Sequence, residues 1–176
     1  MIHYSLTKGA FTRKELNVTG KLAEDFFQTA KDSSQMPEKE LTFKLLTQKF
    51  PLSVNIIYDD KKVIGYTFAL PCDKETMHAF VKGKITEKEL FYAIRDKISP
   101  EEYCCIYLVD SLIISTYRRK GLAIKARVMQ IKKYQSALRK KDLILFSWPF
   151  TKEGKAFGRK LAKIMGLKIL FKPHKP

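Results

Sequence analysis

The sequence predicts an α/β domain: a mixed, mostly antiparallel central sheet, flanking helices and a βαβ unit in the C-terminal half. Three observations lead there. Apolar residues recur at helical spacing before Phe50 and in dense β-rich runs after it. Two such runs flank Asp59–Asp60–Lys61–Lys62, the pattern of a hairpin. Residues 103–150 read as strand, helix, strand, long enough for a crossover that leaves its two strands parallel. No repeat, low-complexity tract or Gly/Ser linker divides the 176 residues, so one domain spanning 1–176 is expected.

The elements follow in order. A short strand is expected near Ile2–Leu6. "LNVTGKLAEDFFQTAKDSS" predicts a helix with Leu22, Phe26, Phe27 and Ala30 on one side. "MPEKELTFKLLTQKF" places Pro37 near a helix start, with a stripe of Leu41, Leu45 and Leu46. "SVNIIYDDKKVIGYTFAL" is the hairpin. Residues 73–98 form a helical insert around Gly83, and "YCCIYLVDSLIIS" is a long strand. Gly121 to Lys140 is a helix covered on two sides near its start, by Ile124, Val128 and Ile131 and by Leu122, Ala126 and Met129. "DLILFSWPF" is a strand, "KEGKAFGRKLAKIMG" a helix ending at Gly166, and "LKILFKP" a last strand.

Composition narrows the function. No apolar run is long enough to span a bilayer, and the N-terminus has no signal-peptide core. The three cysteines, Cys72, Cys104 and Cys105, lack framework spacing, so a reducing, cytoplasmic setting is expected. Cys104 and Cys105 read as small core residues, because His3, His78 and His174 do not stand at ligand spacing; no metal site is expected. The net charge of +16 is unevenly placed: residues 1–117 hold 16 Lys/Arg and 16 Asp/Glu, whereas 118–176 hold 18 and 2. Such asymmetry points to an anionic partner.

The excess begins at "TYRRKGLA", residues 116–123, where a strand end meets a helix start. The helix dipole disfavours cations at that mouth, so Arg118, Arg119 and Lys120 suggest an anion between them and the first N–H groups. Gly121 permits positive φ or close backbone approach, and Ala123 is small enough for tight packing. A pyrophosphate fits such a nest.

"LIISTYRRKGLAIKARVM" resembles the central motif of the GNAT acetyltransferase superfamily: an apolar strand end, a short link, Tyr-Arg-x-x-Gly-x-Gly/Ala and an apolar helix. The resemblance implies acetyl-CoA as cofactor, its pyrophosphate held by Arg118, Arg119, Lys120, Gly121, Leu122 and Ala123. It also implies that Ile113, Ile114 and Ser115 present strand-end backbone to the pantetheine arm. "GRKLAKIMGLKIL" is similar to the family's Leu-Tyr-x-x-x-Gly-Phe helix, with Leu161, Gly166 and Leu167 matching and Ala162 where tyrosine, often the general acid, usually stands. Only one strand follows that helix, so the family's final hairpin is shortened.

Acetyl transfer needs a neutral amine, a held oxyanion and a leaving thiolate. A thiol with pKa about 8.5 leaves without a strong acid, and Ser147 is the candidate substitute for the missing tyrosine. Strict alternation sets Asp110 on one face with Ile106, Leu108, Leu112 and Ile114, its only charge and the candidate base. Trp148, before Pro149 and Phe150, reads as core or pocket wall. Three functions stand: an acetyl-CoA-dependent N-acetyltransferase acting on a primary amine, of a small molecule or a protein; a nucleic-acid-binding protein using the basic C-terminal third; and a GNAT-fold CoA-binding module without catalysis.

Overall fold

The computed structural model describes residues 1–8, 11–27, 32–37 and 40–173. Ala30 of the first predicted helix and His174 lie outside them. The chain runs β1 (Ile2–Tyr4), α1 (Ser5–Lys8), α2 (Arg13–Phe27), α3 (Phe43–Gln48), β2 (Val54–Asp59), β3 (Lys62–Cys72), α4 (Lys74–Val81) and α5 (Glu87–Asp96). It continues with β4 (Cys105–Ile113), α6 (Leu122–Leu138), β5 (Ile144–Ser147), α7 (Lys152–Met165) and β6 (Ile169–Phe171). Short 3-10 turns occupy Pro100–Glu102 and Ser115–Tyr117.

The six strands form one sheet in sequence order. β1 to β4 pair antiparallel, while β4–β5 and β5–β6 pair parallel. The mixed sheet expected from the sequence is present, and the last strand adds a second parallel crossover. Both crossover helices lie on one face, where Ile131 and Tyr134 of α6 and Leu161 and Ala162 of α7 share a buried cluster with Ile106, Leu108 and Leu145. The other face packs Phe68, Leu70, Tyr107 and Phe146 against residues of α2 to α5.

Local chemistry sets the helix boundaries. Thr12 and Glu15 exchange side-chain bonds to each other's backbone N–H, so α2 starts at Arg13, ahead of the apolar stripe that predicted it. The helix start expected near Pro37 falls on residues 38–39, outside the described residues; α3 is opened by the Thr42 hydroxyl, which accepts from Leu45 N–H. The insert divides into α4, capped by Asp73, and α5, opened by the Thr86–Glu89 capping box, with Gly83 at φ 71° between them.

Two irregularities in β4 shape everything near the site. Of β4, only Cys105–Tyr107 pair with β5, so from Leu108 onward that side of β4 has no neighbouring strand. On its other side Leu108 faces Ala69 and Asp110 faces Phe68, which leaves Val109 as an extra, bulged residue. The bulge overturns the expected alternation. Ile106 and Leu108 face α6, whereas Asp110 lies opposite Phe68, on the face that holds Tyr107 and Leu112. Ile114 falls beyond the end of the strand. β5 is also shorter than predicted, and Trp148–Phe150 follow it as irregular chain.

Gly65 lets β4 approach β3 closely, because a Cβ there would collide with the Leu112 carbonyl oxygen and the Ile113 side chain. Gly65→Ala is expected to destabilise the fold by about 1–3 kcal/mol, read as a lower urea midpoint with unchanged slope.

Candidate active site

The edge of β4 that β5 leaves behind becomes the floor of a cleft of about 1330 Å³, walled by α2, α3, the 115–121 turn, residues 148–151 and the start of α7. Backbone direction follows from one hydrogen bond. Ile114 N–H donates to Ile64 O at 3.0 Å, so alternation turns the N–H and C=O of Ile113 the opposite way, toward the cleft. Arg118 Nε confirms this by donating to Ile113 O at 2.9 Å. Of the three strand-end residues, Ile113 therefore presents backbone to the cleft. Ile114 spends its N–H on β3, and Ser115 stands exposed in the 3-10 turn.

The turn is held from outside. Tyr117 OH donates to Asp59 Oδ2 at 2.8 Å, tying the turn to the β2–β3 hairpin. Arg119 (φ 63°) and Gly121 (φ 72°) are both left-handed, and together they curl the chain into the start of α6. Gly121 is the N-cap and supplies no side chain, so no side-chain bond caps the first N–H groups of α6. Leu122 is buried beside Ile57, Ile64 and Ala126, so its side chain belongs to the core; Ala123 lines the cleft. The three cations behave differently. Arg118 lies over the Phe26 ring at 5.4 Å while bonded to Ile113 O, Lys120 rides on the Tyr117 ring at 5.1 Å, and Arg119 is exposed.

Asp110 lines the cleft, and Tyr66 OH donates to its Oδ2 at 2.7 Å. The backbone of the same residue is pinned from behind: buried Arg127 of α6 bonds Asp110 O and reaches Ser111 Oγ at 2.7 Å and Gln130 Oε1 at 2.9 Å. Burial pushes the Arg127 pKa down to about 10, which still leaves it charged at neutral pH. Ser147 also lines the cleft, but its hydroxyl donates to Leu108 O at 3.1 Å, bridging β5 to β4 where their ladder ends. Its proton is therefore engaged in a structural bond. Ala162 does not reach the cleft; it packs 5% exposed among Ile131, Leu145 and Leu161. Trp148 forms part of the cleft wall.

Sequence reasoning missed two cleft residues. Tyr66 carries the hydroxyl nearest Asp110, and only the β3–β4 register brings the two together. Glu87, at the first turn of α5, reads in sequence as an ordinary helix-start acid, yet it is 6% exposed and lines the cleft. Its Oε1 accepts from Tyr107 OH at 2.5 Å and its Oε2 from Met36 N–H at 3.0 Å. Burial raises its pKa, against those two hydrogen bonds and the nearby Lys172 charge. The cysteines take no part: Cys72 and Cys105 are fully buried, and desolvation raises both thiol pKa values. Among the described residues no group of three His, Cys, Asp or Glu side chains is placed to hold a metal ion.

No family model matches the chain, and no curated protein matches it either. Solved structures do. An aminoglycoside acetyltransferase, meta-AAC0020, from an uncultured soil metagenomic sample superposes with a TM-score of 0.52 at 15% identity, over 92% of this chain and 86% of that one. The loading GNATL domain of CurA from Lyngbya majuscula superposes with a TM-score of 0.51 at 11% identity, over 76% of this chain but 58% of that one. At such identities the likeness shows the fold, which is that of the GNAT superfamily.

Glu87 has a pH signature. Its folded pKa is raised, so the folded state binds the proton more tightly, and stability falls as pH rises from the unfolded carboxyl value of about 4.3 toward the raised one. Urea unfolding of the protein against Glu87→Gln should show a stability difference that moves in the variant's favour across that rise. A pH-independent difference would remove Glu87 from this role.

Proposed function

We propose that this chain, which has the GNAT acetyltransferase fold, is an acetyl-CoA-dependent N-acetyltransferase that acetylates a primary amine by direct attack on the thioester. The observation that carries the reading is a juxtaposition. The Gly121 turn opens α6 on backbone N–H groups beside the one stretch of β4 whose Ile113 backbone faces a cleft, and Asp110 lines that same cleft.

The residues present fit the cofactor. The left-handed backbone at Arg119 and Gly121 and the N–H groups of Leu122 and Ala123 make a nest for a pyrophosphate, with Arg119 and Lys120 at its rim. A Cβ built on Gly121 would touch only Ile124, at 4.0 Å, so space is open there; the positive φ is what requires glycine. The Ile113 N–H and C=O suit the amide groups of an extended arm laid along β4, once Arg118 leaves the Ile113 carbonyl. Acetyl-CoA, when bound, supplies the activated acetyl thioester.

The chain's own groups do the rest. Asp110 takes the proton from the acceptor ammonium, so that the amine attacks in its neutral form. Tyr66 orients that carboxylate through its hydroxyl, and Arg127 holds the Asp110 backbone in place. Ser147 keeps β5 at its distance from β4 and is not assigned the acid role. A reducing, cytoplasmic setting suits the three free thiols, and no described helix is long and apolar enough to cross a membrane.

Three measurements test the proposal. Titrating acetyl-CoA should raise the thermal midpoint saturably, and Gly121→Val should weaken that response at least tenfold; no shift in the parent protein would end the reading. Asp110→Asn should cut thiol release over an amine panel by about 10²-fold while leaving acetyl-CoA affinity within threefold. Ser147→Ala should retain turnover within about threefold; a hundredfold loss would restore it as the acid. Saturable binding without thiol release from any amine would favour a CoA-binding module.

A further inference from the structure

The surplus charge has a place in the fold that the cofactor site does not account for. α6 and α7 lie side by side on one face of the sheet, joined through Ile131, Tyr134, Leu161 and Ala162. Their outward sides carry Lys132 and Lys133 on α6, with Arg139 just past its end, and Arg159, Lys160 and Lys163 on α7, all exposed. Among the described residues none of these six enters an ion pair. From residue 118 onward the only acids are Asp142 and Glu153. Lys132 lies about 15 Å along α6 from Leu122, at about 1.5 Å per residue, so phosphates gathered at the turn do not reach it. Because both helices run from the parallel strands β4 and β5, their C-terminal halves lie toward the same end of the sheet. Like charges held this densely repel one another, and an extended polyanion relieves them together.

We infer that the outer face of α6 and α7 binds double-stranded nucleic acid through its phosphates, without reading sequence. Two features choose this occupant. The exposed aromatic side chains of the described residues, Phe26 and Phe150, both line the cleft, so this face offers no ring on which unpaired bases stack. Of the exposed large apolar side chains only Ile164 lies on α7 and none on α6, too little to enter a lipid surface. What remains is rows of lysine and arginine, the complement of a duplex backbone. This binding is separate from acetyl transfer and survives if that reading fails.

Fluorescence anisotropy with a labelled 20-base-pair RNA duplex tests it, using the full chain. Binding should weaken about 10³-fold between 50 and 200 mM salt. Lys132→Ala, Lys133→Ala and Lys163→Ala together should weaken binding at least tenfold and make the log–log salt slope shallower by about 2 to 3, with the thermal midpoint unchanged. The matched control, Lys82→Ala with Lys84→Ala and Lys97→Ala, removes exposed cations from the insert and should leave affinity unchanged. The inference is overturned by absent or salt-insensitive binding, by equal losses in the two triple variants, by tighter binding to a single strand of the same length, or by binding to phosphatidylserine vesicles but not to the duplex.

Discussion

Everything at the site depends on how Arg127 is held. Its guanidinium is buried between α6 and the sheet, a cost that hydrogen bonds have to offset. Its two terminal nitrogens donate to the Asp110 carbonyl, the Ser111 hydroxyl and the Gln130 side-chain oxygen. Gln130 in turn donates to Leu52 O at 2.8 Å and Ser53 O at 2.6 Å and accepts from Thr67 at 3.0 Å, while Asn55 donates to Ala126 O at 3.0 Å. Asn55, Thr67 and Ser111 are register partners across β2, β3 and β4, so a polar row crosses the sheet beneath α6. Apolar packing alone would let the helix slide or rotate. Directional bonds to fixed strand positions do not, and they aim the start of α6 at the open edge of β4.

The bulge at Val109 and the parting of β4 from β5 are the other half of the design. The bulge moves Asp110 off the α6 face and into the cleft, within reach of Tyr66. The parting frees the β4 edge, and the Ser147 bond to Leu108 O fixes where it begins. Glu87 enters from the helical insert and bonds Tyr107, so the insert contributes a cleft wall and not just cover for the sheet.

By itself, the sequence determined the order of elements, the hairpin at Asp60–Lys61, the parallel crossover and the Gly121 turn. Each of these is local: a period, a turn residue or a cap is decided within a few neighbours, and Gly121 is needed because the backbone there has positive φ. The Thr12–Glu15 and Thr42 caps are equally local, each made within three residues. What only the tertiary structure decided was the company each side chain keeps. A one-residue bulge reverses the face of Asp110, and no pattern within β4 announces it. The pairing of Tyr66 with Asp110, the burial of Glu87, the bond that occupies Ser147 and the packing of Ala162 all arise from segments far apart in the chain. Register and burial are set by contacts across the sheet, so the residues that can do chemistry emerge only when the strands have met.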